Sequence, residues 1–204
     1  MLKIIRKAQE LLAKKDMKDD SAAARHNGKW QVRSTKKAFE NEFFALFEDD
    51  VVKPTGEDGK YAWIKFKTGA SILPIDDEGN VYITRQFRYA IGRHDLEIVS
   101  GSVEGEGALD AAKRELKEEL GIDAEEWSDM GCVYSMTSIT QSCSRQFIAR
   151  NLKFGEQETE GTEDIEPVKL TLDKAVEMVL NGEITDGDSC ILILKAHAMK
   201  EKWQ

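Results

Sequence analysis

The chain has 204 residues, which is enough for one domain of ordinary size together with an extension. Hydrophobic residues make up 41% and charged residues 33%, a balance typical of globular rather than disordered proteins. The formal net charge of -9 argues against general binding to nucleic acid or to membrane surfaces. No apolar run approaches the roughly 18 residues that a membrane-spanning helix needs, and the N-terminus lacks a secretory signal core.

Three cysteines occur in the chain, and they show no paired short spacing: Cys132, Cys143 and Cys190. This pattern fits neither a disulfide framework nor a zinc site, and it is typical of a reducing compartment. We therefore predict a cytoplasmic protein in which the cysteines serve as small buried hydrophobic side chains.

Residues 1–28 are predicted to form an amphipathic helical extension in front of a domain at 29–204. One face of this helix is apolar, with Leu2, Ile5, Ala8 and Leu12. Acidic residues within the segment argue against a transit peptide, so we expect the helix to pack on the domain or on a partner subunit. Asn27-Gly28 marks the break between the two.

The segment from residue 29 to residue 84 is predicted to consist mainly of strands, separated by turns at Pro54-Thr55-Gly56 and at residues 77–80. The clearest strands are at 61–66, 71–75 and 81–84. Their aromatic side chains are expected in the core, but Trp63 is also a candidate for stacking on a nucleotide base.

Residues 96–123 have the pattern of a strand, a glycine loop and a helix. A short apolar strand at 96–99 is ended by three glycines within seven residues. From Ala108 the apolar residues adopt helical spacing, and Gly121 is placed to end the helix in a left-handed conformation. The predicted core stripe of this helix comprises Leu109, Ala112, Leu116 and Leu120.

Three glutamates share one side of this helix. At about 100° per residue, Glu115 and Glu119 lie about 40° apart, and Glu118 lies beside them. They are explained either as a solvated surface, since like-charge neighbours cost only about 0.2–0.5 kcal/mol per pair, or as a metal site. Hard carboxylate oxygens, completed by substrate phosphate and water, suit a divalent cation such as Mg²⁺.

The order of these residues resembles the Nudix box, the signature of hydrolases of nucleoside diphosphates linked to another moiety. The matching positions are Gly101, Glu106, Arg114-Glu115-Leu116, Glu118-Glu119 and Gly121-Ile122. Every fixed position from Glu106 to Ile122 is matched, and only the loop between Gly101 and Glu106 is one residue shorter than the family pattern.

The resemblance implies a role for each residue of the box. It assigns metal binding to Glu115, Glu118, Glu119 and the backbone carbonyl of Ser100. It pairs Glu106 with Arg114, which together would orient the site. The implied cofactor is Mg²⁺, with Mn²⁺ as the alternative. The implied fold class is α/β (α+β), a Nudix-type α/β/α sandwich with a mixed β-sheet spanning 29–204, in a homodimer.

The stretch from about Lys37 through the box resembles the ADP-ribose pyrophosphatase branch of this family, which carries a similar Gln-aromatic-Arg segment. By that resemblance Arg88, and less directly Arg85, would hold a substrate phosphate, since an arginine fork suits a diphosphate. A surface ion pair is the alternative. The branch also places a catalytic glutamate in an acidic loop, which makes Glu163 the first candidate for the base and Glu160 the second.

After the box, strands are predicted at 130–136, 146–152 and 167–170. A helix capped by Thr171 or Asp173 and a C-terminal helix from Ser189 to about Trp203 follow.

The resemblance implies Mg²⁺-dependent hydrolysis of the pyrophosphate bond of a nucleoside diphosphate linked to a sugar. ADP-ribose and nucleotide sugars are such substrates, and the products would be a nucleoside monophosphate and a sugar phosphate. The segment at 137–142 lacks the proline that the ADP-ribose branch usually carries. Two alternatives therefore stay open: a Nudix hydrolase of dinucleoside polyphosphates or nucleoside triphosphates, and a non-hydrolytic Nudix module that senses a nucleotide.

Overall fold

The computed structural model describes residues 25–158 and 165–202. The strands are β1 (Arg25–Asn27), β2 (Trp30–Glu40), β3 (Phe44–Val52), β4 (Asp58–Phe66), β5 (Gly69–Pro74), β6 (Asn80–Arg88), β7 (Arg93–Glu97), β8 (Val99–Ser102), β9 (Ile122–Val133), β10 (Ser144–Phe154) and β11 (Ile165–Thr171). The helices are α1 (Ala108–Leu120), α2 (Leu172–Leu180) and α3 (Gly187–Ala198), followed by a short 3-10 helix at Lys200–Lys202. Of the helices in the described ranges, none has the length and apolar character that crossing a membrane requires.

The predicted N-terminal helix falls mainly on residues 1–24, which lie outside the described residues. Arg25–Asn27, at the end of the predicted extension, form β1. The candidate bases Glu160 and Glu163 also lie outside the described residues.

The chain divides into two compact units. In the N-terminal unit, residues 25–66 form an antiparallel sheet in the order β1-β2-β3-β4, and residues 136–141 belong to the same unit. The β2–β3 turn is stabilised by the side chain of Asn41, whose Oδ1 accepts hydrogen bonds from the amides of Phe43 and Phe44. This is the local bonding that favours asparagine in turns.

The second unit contains two sheets. One has the order β8-β5-β10-β9, in which β5 and β10 are parallel and the other neighbours are antiparallel. The other sheet is antiparallel, with the order β11-β6-β7. Parallel and antiparallel pairs in one sheet confirm the mixed sheet that the family resemblance implies.

Helices cover both faces of the β5–β10 pair. Side chains of a strand alternate between its two faces, and here Ala70 and Ile72 pack with α1, whereas Leu73 packs with α2 and α3. In β10, Phe147 lies on the α1 side and Ile148 on the opposite side. The three-layer α/β/α architecture is therefore confirmed in this unit.

Three of the four positions of the predicted stripe are buried in helix α1, namely Ala112, Leu116 and Leu120, and Leu109 is the exception. Leu109 is 36% exposed, whereas Ala111 is fully buried. Ala111 lies about 40° from Glu115 around the helix axis, so the buried stripe extends toward the glutamate side of the helix. The spacing of apolar residues identified the helix correctly. Packing against the neighbouring strands determined that Ala111, rather than Leu109, is buried.

The predicted strand at 96–99 is divided between two sheets. Glu97 ends β7 and Val99 begins β8. Between them the amide of Ile98 donates a hydrogen bond to Ser189 Oγ, 3.0 Å away, at the start of α3. The side-chain bond satisfies a buried amide that has left one sheet before the next begins.

We expect Gly121→Ala to destabilise the fold more than Gly79→Ala. Both glycines have positive φ, 64° and 79°, so each alanine should cost about 1–2 kcal/mol in unfolding free energy. A Cβ at Gly121 would also lie 2.7 Å from the carbonyl oxygen of Gly155, whereas one at Gly79 meets no atom within 4 Å. Urea denaturation of both variants measures the difference, and equal losses would contradict this account.

Candidate active site

Arg114 of α1 lies at the centre of a cluster of acidic side chains. Its guanidinium donates hydrogen bonds to Glu106 at 3.1 Å, to Glu115 at 2.8 Å and to Glu118 at 2.8 Å. It also donates to the carbonyl oxygen of Ser102 at 3.0 Å. The structure thus brings the predicted partners Glu106 and Arg114 together, and their orienting role stays a prediction.

The charge of Arg114 compensates the repulsion within this cluster. Partial burial disfavours that charge, but the carboxylates of Glu115, Glu106 and Glu118 outweigh it and raise the pKa of Arg114 above its usual value. The guanidinium therefore stays protonated. It lies between carboxylates that would otherwise face a cation, and in the described ranges no group of three His, Cys, Asp or Glu residues is arranged to hold a metal ion.

Gly101 of β8 leaves room for the carboxylate of Glu115. A Cβ at this position would overlap the carboxylate, so only glycine allows Glu115 to lie against the strand. Ser100, whose carbonyl is a predicted metal ligand, precedes it in β8 and pairs with Ser71 of β5. Carboxylate oxygens held against a strand backbone have the chemistry that a hard divalent cation requires. In donor chemistry the residues present therefore fit a divalent metal, while in the described structure Glu115 and Glu118 bind Arg114 instead.

The shortened loop still delivers Glu106 to its partner. Gly105 has φ 97°, a conformation that side-chain-bearing residues rarely adopt, and it allows the chain to turn after β8. Glu106 then lies 3.1 Å from Arg114. The missing residue is thus absorbed within the loop.

Arg88 of β6 is held by a carboxylate that the sequence did not single out. Its Nε and Nη2 donate to the two oxygens of Glu97, at 2.8 Å and 2.5 Å, in a two-pronged ion pair. The Glu97 side chain is only 10% exposed, whereas that of Arg88 is 40% exposed. The signal in the sequence is a charged residue within an apolar strand, since a buried carboxylate requires a partner.

Arg88 also lies in the electrostatic field of the acidic helix. Hydrogen bonds to Glu97 raise the pKa of Arg88 against the opposing effect of partial burial, and the carboxylates of Glu119 and Asp186 raise it further. The predicted phosphate ligand and the predicted metal ligand Glu119 are therefore close enough to interact.

Arg85 has a different environment. Its guanidinium pairs with Glu166 at 2.8 Å, and both side chains are exposed. Such pairs contribute about 0–1 kcal/mol to stability. The structure shows the surface ion pair that the sequence left as the alternative, and phosphate binding by Arg85 stays a prediction.

The acidic loop that carries the two candidate bases spans residues 155–166. Its described residues at the two ends contact α1 and β6. The amide of Glu158 donates to the carbonyl oxygen of Glu118 at 3.1 Å, and Gln157 donates to that of Glu119. On the other flank, Ile165 pairs with Gln86 of β6. The described residues on either side of the two candidate bases therefore lie against the acidic end of α1 and beside β6.

Trp63 belongs to the N-terminal unit and stacks on Phe47 with ring centroids 4.3 Å apart. It lines a pocket of about 440 Å³ together with Asp49, Tyr61 and residues 137–141, all in the same unit. Within the described chain, Nε1 of Trp63 and Oδ1 of Asp49 are buried without a hydrogen-bond partner. Two of the residues that line the pocket therefore each carry a polar atom whose hydrogen-bonding capacity is unused in the described structure.

A sequence profile of the NUDIX domain matches residues 65–187, which include the acidic helix, Gly101 and both arginines. The chain belongs to the Nudix family. This Nudix chain is 29% identical over 158 residues to an ADP-ribose pyrophosphatase from Bacillus subtilis strain 168, covering 76% of this chain and 85% of that relative. It is 30% identical over 139 residues to a GDP-mannose pyrophosphatase from Salmonella arizonae, covering 63% and 73%.

A crystal structure described as an ADP compounds hydrolase superposes on the Nudix chain with a TM-score of 0.75. The match covers 87% of this chain and 98% of that one at 16% identity, so it shows the fold alone. These findings confirm the predicted family and its α+β architecture. Nudix hydrolases generally act with divalent metal ions, in line with the carboxylates of α1.

We expect Gly101→Ala to abolish most activity while leaving the fold intact. The added methyl group must displace the Glu115 carboxylate, a flexible group that can move without unfolding the chain. A misplaced catalytic group can lower kcat roughly 100-fold. The control is Gly107→Ala, whose Cβ would meet only Asp110 Oδ2 at 3.4 Å. Steady-state kinetics and thermal melts of both variants provide the measurement. A fully active Gly101→Ala would refute the idea that Gly101 positions the Glu115 carboxylate.

We expect Glu97→Gln to weaken substrate binding through Arg88. Losing a charged hydrogen-bonded partner is worth about 1.5–3 kcal/mol, so KM should rise roughly 10- to 100-fold while kcat changes less. The effects of Glu97→Gln and Arg88→Gln should not add in the double variant, because both break one pair. Glu125→Gln, which removes an exposed ion pair with Lys153, is the control. Additive losses would show that Glu97 acts independently of Arg88.

Proposed function

We propose that this Nudix protein hydrolyses the pyrophosphate bond of a nucleoside diphosphate linked to a sugar, in a reaction that requires Mg²⁺. ADP-ribose-like compounds and nucleotide sugars form the substrate class, and a nucleoside monophosphate and a sugar phosphate are the products. The observation that carries the proposal is the acidic cluster around Arg114 on α1, which lies in the same unit as the Arg88–Glu97 ion pair. The printed activities of the two relatives, on ADP-ribose and on GDP-mannose, support this class.

The proposed metal ligands are Glu115, Glu118, Glu119 and the carbonyl oxygen of Ser100. When bound, Mg²⁺ or Mn²⁺ would polarise the diphosphate and neutralise charge that develops on its oxygens. Arg114 has hydrogen bonds to Glu106 and Ser102 that do not involve metal ligands. These bonds can hold its guanidinium in place when Glu115 and Glu118 bind a cation.

The other residues act on the substrate and on water. Arg88 binds a phosphate through the N–H groups that remain exposed, and Arg85 is the second candidate for this role. A glutamate of the acidic loop, Glu163 first and Glu160 second, accepts the proton of the attacking water. The placement of the loop flanks beside α1 and β6 supports this assignment.

Trp63 is proposed to contact the base of the substrate. Its pocket has an aromatic wall for stacking and two buried polar atoms that lack partners in the described structure. By family resemblance we also propose a homodimer. We propose a cytoplasmic location because all three cysteines are free thiols.

The first test is hydrolysis with Mg²⁺ of ADP-ribose, a UDP-sugar, a GDP-sugar, a diadenosine polyphosphate and a nucleoside triphosphate. We expect turnover of one of the diphosphate-linked sugars and its loss in Glu119→Gln, because a neutral amide is a poor ligand for a hard cation. Glu177→Gln, on the exposed side of α2, removes the same charge away from the site and should remain active.

Each other outcome of this panel has a defined meaning. Preferred turnover of the diadenosine compound or the triphosphate would replace the proposed substrate class within the family. A nucleotide that stays bound and uncleaved for hours with Mg²⁺ would favour the sensing module. Activity indifferent to Glu119→Gln would contradict the assignment of α1 as the metal site. Glu163→Gln and Glu160→Gln, compared by kcat on the best substrate, then identify the base.

A further inference from the structure

Cys132 of β9 and Cys143, just before β10, have their sulfur atoms side by side. Cys132 near the end of β9 pairs with Arg145 in β10, and Cys143 immediately precedes β10. The two thiols therefore lie on the same face of the sheet, because alternate residues share a face. The thiol of Cys143 donates to Cys132 Sγ at 3.3 Å. A disulfide requires a sulfur separation of about 2.05 Å, so a movement of roughly 1.3 Å joins them.

The surroundings differ enough to give the two thiols distinct roles. Cys132 is exposed, and its sulfur accepts hydrogen bonds from Cys143 and from Nη1 of Arg145, the latter at 4.0 Å. Arg145 is itself held by Asp129. Cys132 is the more exposed of the two cysteines, so an oxidant reaches its sulfur first, and we assign it as the attacking group. Burial, with the contact to Cys132, raises the pKa of Cys143, so it stays a thiol until an electrophilic sulfur forms beside it.

We propose that Cys132 and Cys143 form an oxidant-sensitive modification site, at which a peroxide converts the thiol pair into a reversible disulfide. Cys190 does not take part, since it lies in α3 and donates its thiol to the carbonyl oxygen of Ile184. The site is independent of the hydrolytic function proposed above.

The chemistry balances in two steps. The Cys132 thiolate attacks one oxygen of the peroxide, so that an S–O bond forms, the O–O bond breaks and hydroxide leaves to become water. Cys143 then attacks the sulfenic sulfur, forming the S–S bond and expelling the second hydroxide, which takes up the proton of the Cys143 thiol. Two thiols are oxidised by two electrons, and the peroxide is reduced to water. A dithiol reductant reverses the modification.

The disulfide would close a loop around a structured segment of the N-terminal unit. Residues 136–141 lie between the two cysteines in the chain. They form hydrogen bonds with both the backbone amide and the backbone carbonyl of Ile64 in β4. The amide of Ile64 donates to Ile139 at 2.8 Å, and the amide of Gln141 donates back to Ile64 at 3.0 Å. Tyr61 donates its hydroxyl to the carbonyl oxygen of Ser138 at 2.6 Å. A disulfide that joins the two ends of this segment lowers the conformational entropy that the segment gains when it detaches from β4. Detachment therefore becomes less favourable, and the part of the pocket lining that the segment provides becomes more stable.

The test uses the full-length chain, reduced and then treated with a small excess of hydrogen peroxide. Thiol titration should show the loss of two of the three free thiols, and peptide mass spectrometry should identify a Cys132–Cys143 crosslink. Cys190→Ser should form the same crosslink. Cys132→Ser and Cys143→Ser should form none, and dithiothreitol should restore the thiols in wild type.

Hydrogen exchange tests the structural consequence. The amides of Ile64 and Gln141 should exchange roughly tenfold more slowly in the oxidised protein, and Cys143→Ser should show no change with peroxide. Three thiols that survive treatment, a crosslink through Cys190, or higher acids of Cys132 without a crosslink would overturn the proposed site. A crosslink with unchanged exchange at both amides would overturn its effect on the segment. None of these readouts depends on turnover, so they stand apart from the test of the hydrolase.

Discussion

The site depends on one arginine that is surrounded by carboxylates. Arg114 binds Glu106, Glu115 and Glu118 while its own helix contributes two of them. Without this charge the glutamates would repel one another on a partly exposed helix face, where the side chain of Glu115 is 14% exposed and that of Glu118 is 39% exposed. The arginine also ties the loop after β8 to the helix, because it donates to the carbonyl oxygen of Ser102. One side chain thus joins the strand, the loop and the helix.

A second ion pair joins Arg88 to Glu97 in the same unit. The Glu97 carboxylate is nearly buried, and a buried carboxylate is stable only with a well-placed partner. Arg88 satisfies this requirement and keeps an exposed part that can bind an anion. Alternating charges, with carboxylates on α1 and the guanidinium on β6, match a substrate whose phosphates must contact both a cation and arginine. Because strand pairing is interrupted at Ile98, Glu97 lies in one sheet and Gly101 lies in the other.

The N-terminal unit contributes a second kind of surface. Its pocket combines stacked aromatic rings with polar atoms that have no partner among the described residues. One wall consists of residues 136–141, which the chain inserts between β9 and β10 of the other unit. The thiol pair lies at the two points where this segment departs and returns. A bond between the two sulfur atoms would therefore close the chain around the segment that forms part of the pocket.

Features that lie within one helix or one turn could be predicted from the sequence alone. The order Glu106, Arg114, Glu115, Glu118, Glu119 and Gly121 indicated the family, because helical periodicity converts spacing directly into a shared face. Gly121 ends α1 as predicted, and Thr171, one of the two predicted caps, accepts the amide of Lys174. These features need no knowledge of distant residues.

The order in which strands pair, and the register of each pair, could be read only from the three-dimensional structure. The partnership of Arg88 with Glu97 and the division of the strand at Ile98 depend on strand pairing and on contacts with α3. The cysteines were predicted to be small buried side chains, but Cys132 is exposed and faces Cys143. A shift of one residue in the pairing of β9 and β10 would move one partner to the opposite face. Local spacing does not encode that register, because it is set by packing across the sheet.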